Sequence, residues 1–280
     1  AMKARELGKK SVVVGDLVSI VGDISGDEGS LARVVTVLPR KNSLTRSIED
    51  HANDERVIVA NVDQMGIVIS AANPEPKVGL VDRALVVAYD QGITPIIIMT
   101  KKDLASGDEF LQIYKDLNIA VFKTDKSSDL SALQEVLAGK ITVLLGHSGV
   151  GKSTLVNNLL ASSVNKVAEF GIENSERVTG DVNEVTGRGR HTTSSAIALP
   201  LSSSFDGADF GWIIDTPGVR SFGIAHIQAA RVIASFPEFS DAISNCQKNC
   251  THNESGCALN NWPTLTDQHL ARLASLRRVL

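Results

Sequence analysis

The sequence has 280 residues, of which 43% are hydrophobic and 21% charged, with a formal net charge of −4. That length exceeds the usual single domain, the composition excludes bulk disorder, and the charge balance excludes non-specific adhesion to nucleic acid while leaving room for a local basic surface. The longest apolar stretches are strand-length and interrupted, and the charged residues 1–10 lack an apolar h-region, so neither a membrane span nor a secretory leader is expected and a cytoplasmic location is the default.

In chain order, Ala1-Met2 reads as a cloning remnant. Ser11 to Val14, Leu17 to Val21 and Leu31 to Leu38 are β-branched runs separated by Gly15-Asp16 and Gly26-Asp27-Glu28-Gly29, which predicts a small β-barrel or sheet over residues 1–56. Within it, Arg40-Lys41-Asn42-Ser43-Leu44-Thr45-Arg46 places three cations around a polar loop, either a phosphate-backbone contact or a solvated turn. From Val57 the pattern alternates between apolar strands and amphipathic helices, as expected for an α/β domain with a parallel sheet over residues 57–225. The expected strands are Gly66 to Ser70, Pro95 to Met99, Ile119 to Phe122, Ile141 to Leu145, Ser195 to Pro200 and Gly211 to Ile214. The expected helices are Val78 to Gln91, Asp108 to Leu117, Leu130 to Ala138 and Lys152 to Ala161. Glu169 to Ser194 is a long polar stretch of the kind that is functional or mobile, and residues 226–280 read as short helices around a cysteine cluster.

Gly146-His147-Ser148-Gly149-Val150-Gly151-Lys152-Ser153, followed by Thr154, satisfies G-x-x-x-x-G-K-[ST] at every fixed position, between an expected strand and an expected helix. Its glycines let backbone N–H groups approach phosphate oxygens, Lys152 adds a charge, and Ser153 is a ligand for Mg2+. Asp215-Thr216-Pro217-Gly218 ends a strand; there Asp215 can hold Mg2+ and the Gly218 N–H can reach a γ-phosphate. Thr100-Lys101-Lys102-Asp103 follows another strand and matches [NT]-K-x-D. An ionised Asp103 accepts hydrogen bonds from the N1–H and 2-amino group of guanine, and the Lys101 stem covers the base. Adenine lacks that donor pair, so a buried Asp103 would be left unpaired by ATP. The guanine motif precedes the phosphate loop, so the sheet is preserved only if the chain is circularly permuted. Val219 stands where many GTPases carry a water-orienting Gln; His191, beside Thr192 and Thr193, either supplies that positioning or merely decorates the loop.

Cys246, Cys250, His252 and Cys257 have the spacing of a closed structural zinc site, and the chain contains no other cysteine. His51, His147, His226 and His269 read as surface or loop residues.

The motif series Thr100-Lys101-Lys102-Asp103, GHSGVGKST, GRGRHTT, Asp215-Thr216-Pro217-Gly218 and the Cys-Cys-His-Cys cluster closely resembles the RsgA (YjeQ/YloQ) family of circularly permuted GTPases. The resemblance implies an N-terminal OB-fold, a permuted GTPase domain and a C-terminal zinc-binding helical domain. The first barrel strand would lie upstream of Ser11 to Val14, so the barrel is incomplete or closed by a partner. The resemblance also implies GTP hydrolysis in late maturation of the small ribosomal subunit, stimulated by that subunit. Expected ligands are GTP or GDP with Mg2+, one structural Zn2+ and rRNA, with no membrane, in a monomer. The family's histidine proposed to assist hydrolysis maps onto His191. The loop supporting guanine would lie near Lys123 to Ser128, where the usual Ser-Ala signature is missing. A competing reading is a zinc-containing rRNA-binding scaffold that binds nucleotide without functional turnover; another is an ATP-using enzyme.

Overall fold

The computed structural model describes residues 2–4, 7, 12–25, 27, 29–48, 51–161, 196–201, 211–216, 222–224, 226–262 and 266–280. The N-terminal strands are β1 (Met2–Lys3), β2 (Val18–Gly22), β3 (Ala32–Val37), β4 (Ser43–Ile48) and β5 (His51–Ala60). They form a three-stranded sheet in the order β1-β3-β2 and a hairpin of β4 with β5, joined by a bridge between Val14 and Val59. Strand β1 pairs in parallel with β3 through Met2 and Lys3, upstream of the first strand expected from sequence.

Residues 40–46 are only partly the polar loop expected, because β4 starts at Ser43 and turns the fully buried Leu44 inward. Two of the three cations there are engaged within the molecule. Arg40 grips Asp16 through two hydrogen bonds of 2.6 and 2.9 Å, and Lys41 pairs with Asp63. Neither is a vacant phosphate contact. Strand β5 continues past residue 56 to Ala60, where Asn61 and Asn42 tie it to the next domain through Val62 and Lys41.

The large sheet comprises β6 (Gln64–Ser70), β7 (Thr94–Thr100), β8 (Ala120–Lys123), β9 (Ile141–Leu145), β10 (Ile197–Leu201) and β11 (Gly211–Asp215). Their spatial order is β10-β11-β9-β6-β7-β8, parallel except for the β10–β11 pair. Burial on both faces explains the continuous apolar runs of β6 and β7. Between the strands lie α1 (Val78–Asp90), α2 (Asp108–Gln112), α3 (Ser131–Leu137) and α4 (Lys152–Ala161). The helix expected over Asp108 to Leu117 divides: α2 ends after one turn, and Lys115–Leu117 is a 3-10 turn closed by Asn118 in the left-handed region.

From β6 the chain proceeds outward through β7 and β8, returns to β9 beside β6, and then proceeds the other way. The reversal point, between β6 and β9, is where sheets of this kind open a crevice at the strands' carboxyl ends.

The C-terminal segment adds α5 (Ala229–Ala234), α6 (Ser240–Ile243) and α7 (Asp267–Val279). It does not stand apart. One apolar cluster takes in Leu44 and Val59, Ile67 of β6, Leu85 of α1, and Phe239, Cys257, Leu259 and Leu276. A second, formed by Ile98, Leu133, Leu144, Val156 and Ile213, fills the other face of the sheet beneath α3 and α4.

Candidate functional site

The phosphate loop leaves β9 and enters α4 as the sequence predicts. At its start Gly146 passes so close to β6 that an added Cβ would lie 2.6 Å from the Val68 carbonyl oxygen. Gly149 and Gly151 have φ of +81° and +90°, a conformation costly to other residues. These glycines fold the loop back against the sheet and leave Lys152 at the first turn of α4. Lys152 Nζ lies 2.8 Å from Asp215 Oδ1 at the end of β11, so two motifs 63 residues apart meet at one corner. The neighbouring Thr216 hydroxyl, also buried, donates to the Leu144 carbonyl at 3.1 Å and fixes β11 against β9.

The third motif leaves β7. The buried hydroxyl of Thr100 is directed at the Ile69 and Val150 carbonyls, which ties the end of β7 to both β6 and the phosphate loop. Lys101 adopts φ +58°, a left-handed conformation that costs a residue with a side chain roughly 1–3 kcal/mol. Its ammonium donates to the Gly149 carbonyl at 2.8 Å and to the Asn73 carbonyl. Lys101 therefore braces the phosphate loop against the segment between β6 and α1.

A cavity of about 320 Å³ opens beside this brace, lined among others by Thr100, Lys101, Asp103, Gly151 and Thr154, a volume within the range of small-molecule sites. Asp103 is exposed at its rim rather than buried. The penalty expected from leaving a buried carboxylate unpaired would therefore arise only if a bound base covered it. His147, Ser148 and Val150 line a separate cavity of about 310 Å³ on the other flank of the loop, against Ser70, Pro74 and Lys77.

Thr124, Asp125 and Lys126, within the stretch where the family resemblance puts the guanine-supporting loop, also line the first cavity, as does Asn158 of α4. The Lys102 N–H donates to the Thr124 carbonyl at 3.1 Å and the Thr124 N–H to the Met99 carbonyl at 2.7 Å, which holds the loop after β8 next to Asp103. Asp125 organises that loop by accepting from the hydroxyls of Ser127 and Ser128, both at 2.9 Å, and from the Ser127 N–H at 2.8 Å. Ser127 above all, with Ser128, holds the carboxyl below the usual range. The loop was expected here from the family resemblance although its Ser-Ala signature is missing, whereas Asn158 carries no sequence signal.

The Cys246, Cys250, His252 and Cys257 ligand atoms all lie within 4.8 Å of one another. Cys246 Sγ is 3.8 Å from Cys257 Sγ and 3.6 Å from His252 Nδ1, and Cys257 Sγ is 3.9 Å from that nitrogen. The sulfur separation far exceeds a disulfide bond. It agrees with the edge of about 3.8 Å of a tetrahedron with Zn–S bonds of about 2.3 Å. A soft donor set in a half-buried to buried pocket fits a structural metal ion. His191, Thr192, Thr193, Gly218 and Val219 lie outside the described residues.

These loops on a permuted α/β sheet define a P-loop nucleotide-binding protein with an appended Cys3His centre. The family model for RsgA GTPase matches residues 37–225, and the chain belongs to that family. It is 35% identical over 245 residues to the "Small ribosomal subunit biogenesis GTPase RsgA" of Pseudomonas syringae pv. tomato, covering 84% of this chain and 65% of that protein. The protein of the same name from Pseudomonas aeruginosa PAO1 is 35% identical over 268 residues, covering 91% and 72%. The chain thus spans about two thirds of the length of such relatives. Among solved structures, YjeQ from Thermotoga maritima superimposes with a TM-score of 0.62 at 25% identity, over 98% of this chain and 86% of that one. YloQ, titled a circularly permuted GTPase, gives 0.58 at 23% identity, over 97% and 82%, and supports the fold.

Proposed function

We propose that this chain hydrolyses GTP in the biogenesis of the small ribosomal subunit, binding the subunit with GTP and leaving after hydrolysis. The observation that carries the reading is the Lys101 brace, which places a guanine-type Asp103 loop and the phosphate loop around one cavity. The names of the relatives supply the small subunit. In this reading Asp103 selects guanine, backbone N–H groups from Gly146 to Thr154 and Lys152 hold the phosphates, and Gly218 senses the γ-phosphate. Ser153 and Asp215, hydroxyl and carboxylate oxygens of the type a hard cation prefers, would hold Mg2+, which neutralises charge on the transferring phosphoryl group. From the sequence, Thr192 or Thr193 completes the Mg2+ shell and His191 orients water where Val219 cannot, so turnover by the free protein is slow.

The division into an OB-like segment over residues 1–56, a GTPase domain over 57–225 and a zinc domain over 226–280 goes with this reading, as do rRNA contacts by the outer two and a cytoplasmic monomer. Among the described residues no helix is long and apolar enough to cross a membrane.

The test is GTP turnover with and without purified small subunits, expected to rise at least about tenfold with them, roughly 1.4 kcal/mol in the barrier. Stimulation by the large subunit instead, or by neither, overturns the ribosomal assignment. Asp103→Asn should shift preference from guanine to xanthine nucleotide, and equal competition by ATP and GTP would overturn guanine selection. Subunit assembly that survives Lys152→Ala would favour a scaffold over a hydrolase.

A further inference from the structure

We propose that Arg277 and Arg272 on α7 are positioning residues that link the Cys3His centre to the phosphate loop, so that metal occupancy and nucleotide affinity rise and fall together. The proposal rests on the nucleotide-binding reading above and adds a regulator to the same site.

The link begins at a metal ligand. His252 sits in the left-handed region at φ +61°, which fixes the direction of its carbonyl, and that carbonyl accepts from Arg277 Nε at 2.8 Å. Arg277 also bonds Asn260, whose amide donates to the Glu254 and Ser255 carbonyls at 2.8 and 3.0 Å. One guanidinium therefore reads the loop between Cys250 and Cys257 at two points.

Five residues earlier on the same helix, Arg272 is buried. Its Nη1 lies 2.6 Å from Asp82 Oδ1 on α1, its Nε lies 2.6 Å from Glu238 Oε1, and its guanidinium carbon stands 4.4 Å from the centre of the Phe236 ring. Arg278 reaches the first turn of α1 so closely that a Cβ on Gly79 would lie 2.7 Å from its Nη1. At the other end of α1, Asp90 is held by Arg231 at 2.9 Å. With α1 pinned near both ends and buried through its middle, it moves with the C-terminal segment or not at all. Leaving Asp82 behind would strand a charge in a site that water and salt do not screen.

The segment immediately before α1 contains Asn73, whose carbonyl shares the Lys101 ammonium with Gly149 of the phosphate loop. A shift of α1 thus acts on the brace that shapes the nucleotide site. In the other direction, nucleotide that fixes the loop fixes α1 and, through α7, the His252 loop. Linkage makes the effect reciprocal.

The experiment uses the full chain, zinc-loaded or stripped with a chelator, and measures the Kd of a fluorescent GDP analogue. Stripping is expected to weaken binding about tenfold, and saturating GDP to strengthen zinc retention against the chelator by the same factor. Zinc-loaded Arg277→Gln should keep its zinc, bind GDP about threefold more weakly, and bring the stripped-to-loaded ratio toward one; Arg277→Lys, which retains a donor for the His252 carbonyl, should recover part of it. GDP affinity indifferent to zinc, or a ratio unchanged in Arg277→Gln, overturns the coupling while leaving the site assignment intact. If stripping unfolds the chain, the two zinc-loaded proteins decide: equal GDP affinity in wild type and Arg277→Gln overturns the coupling. A zinc-loaded wild type that binds no GDP overturns the site assignment and the coupling together.

Discussion

Asp63 carries more of the structure than its place in a turn suggests. One carboxylate oxygen pairs with Lys41, the other accepts the Ile141 N–H at 2.8 Å, and its backbone bonds Ile141 and Thr94. It thereby joins the N-terminal strands to the starts of β7 and β9. Partial burial pushes its carboxyl up, but the Ile141 N–H, Lys41 and Lys140 outweigh this and leave the net shift downward. A carboxyl whose pKa is lower in the folded state stabilises above its unfolded pKa of about 3.9, and the contribution disappears as pH falls through the folded value. Asp63→Asn should therefore lower Tm at neutral pH and flatten the loss of Tm on acidification below about pH 5; an acid limb as steep as wild type would refute this role. Asp63 carries no motif signature, whereas the fixed positions of the phosphate loop, Asp103 and the Cys-His cluster were legible because their spacing is tied to a ligand. Arg40 and Lys41 show the converse. A run of cations in sequence does not reveal that Asp16 and Asp63 have folded back to meet them.

At the scale of the element, α1 shows why a correct helix boundary is not yet a correct environment. Its span of Val78–Asp90 was legible to within one residue. The burial of Asp82 and Asp90 was not, because a carboxylate in an apolar helix ordinarily marks the solvent side. Their partners Arg272 and Arg231 belong to the far end of the chain. Burial pushes Asp82 above the ordinary carboxylate range, and Arg272 only partly holds it down. Arg272→Met should cost about 3–5 kcal/mol at neutral pH by leaving Asp82 and Glu238 uncompensated. Without the guanidinium the Asp82 carboxyl is raised further, the folded state binds a proton the unfolded state does not, and the deficit should shrink as pH falls. Urea titrations at two pH values check this, and a deficit that grows in acid contradicts it. The triple change Asp82→Asn, Arg272→Met, Glu238→Gln should cost less than Arg272→Met alone.

For the whole molecule, the alternation of strands and helices made the permuted α/β domain readable, and motif order alone announced the permutation. The number of cores was not readable. Segments that look like three modules share one apolar cluster, to which both the buried Cys257 of the Cys3His group and Leu85 of α1 belong. Apolar periodicity reports that a face is buried and is silent on which distant segment buries it. Chelation of the metal should accordingly lower a single calorimetric transition, by about 2–4 °C per kcal/mol of lost stability. A separate early transition for residues 226–280, with the main one unmoved, would show the segment to be autonomous.

The Arg272–Asp82 pair also sets a schedule for synthesis. Its members are 190 residues apart, so at roughly 5–20 residues per second a ribosome takes on the order of 10–40 s to supply the cation after the anion. Strands β7 and β9, which flank β6, are supplied early in that interval, yet to its end α1 holds a carboxylate facing an apolar surface with no Arg272 to neutralise it. The nascent chain therefore has reason to remain loosely packed or chaperone-bound until its last helix emerges. A ribosome stalled just short of residue 272 should display a chain far more sensitive to protease than one stalled with α7 fully outside the exit tunnel.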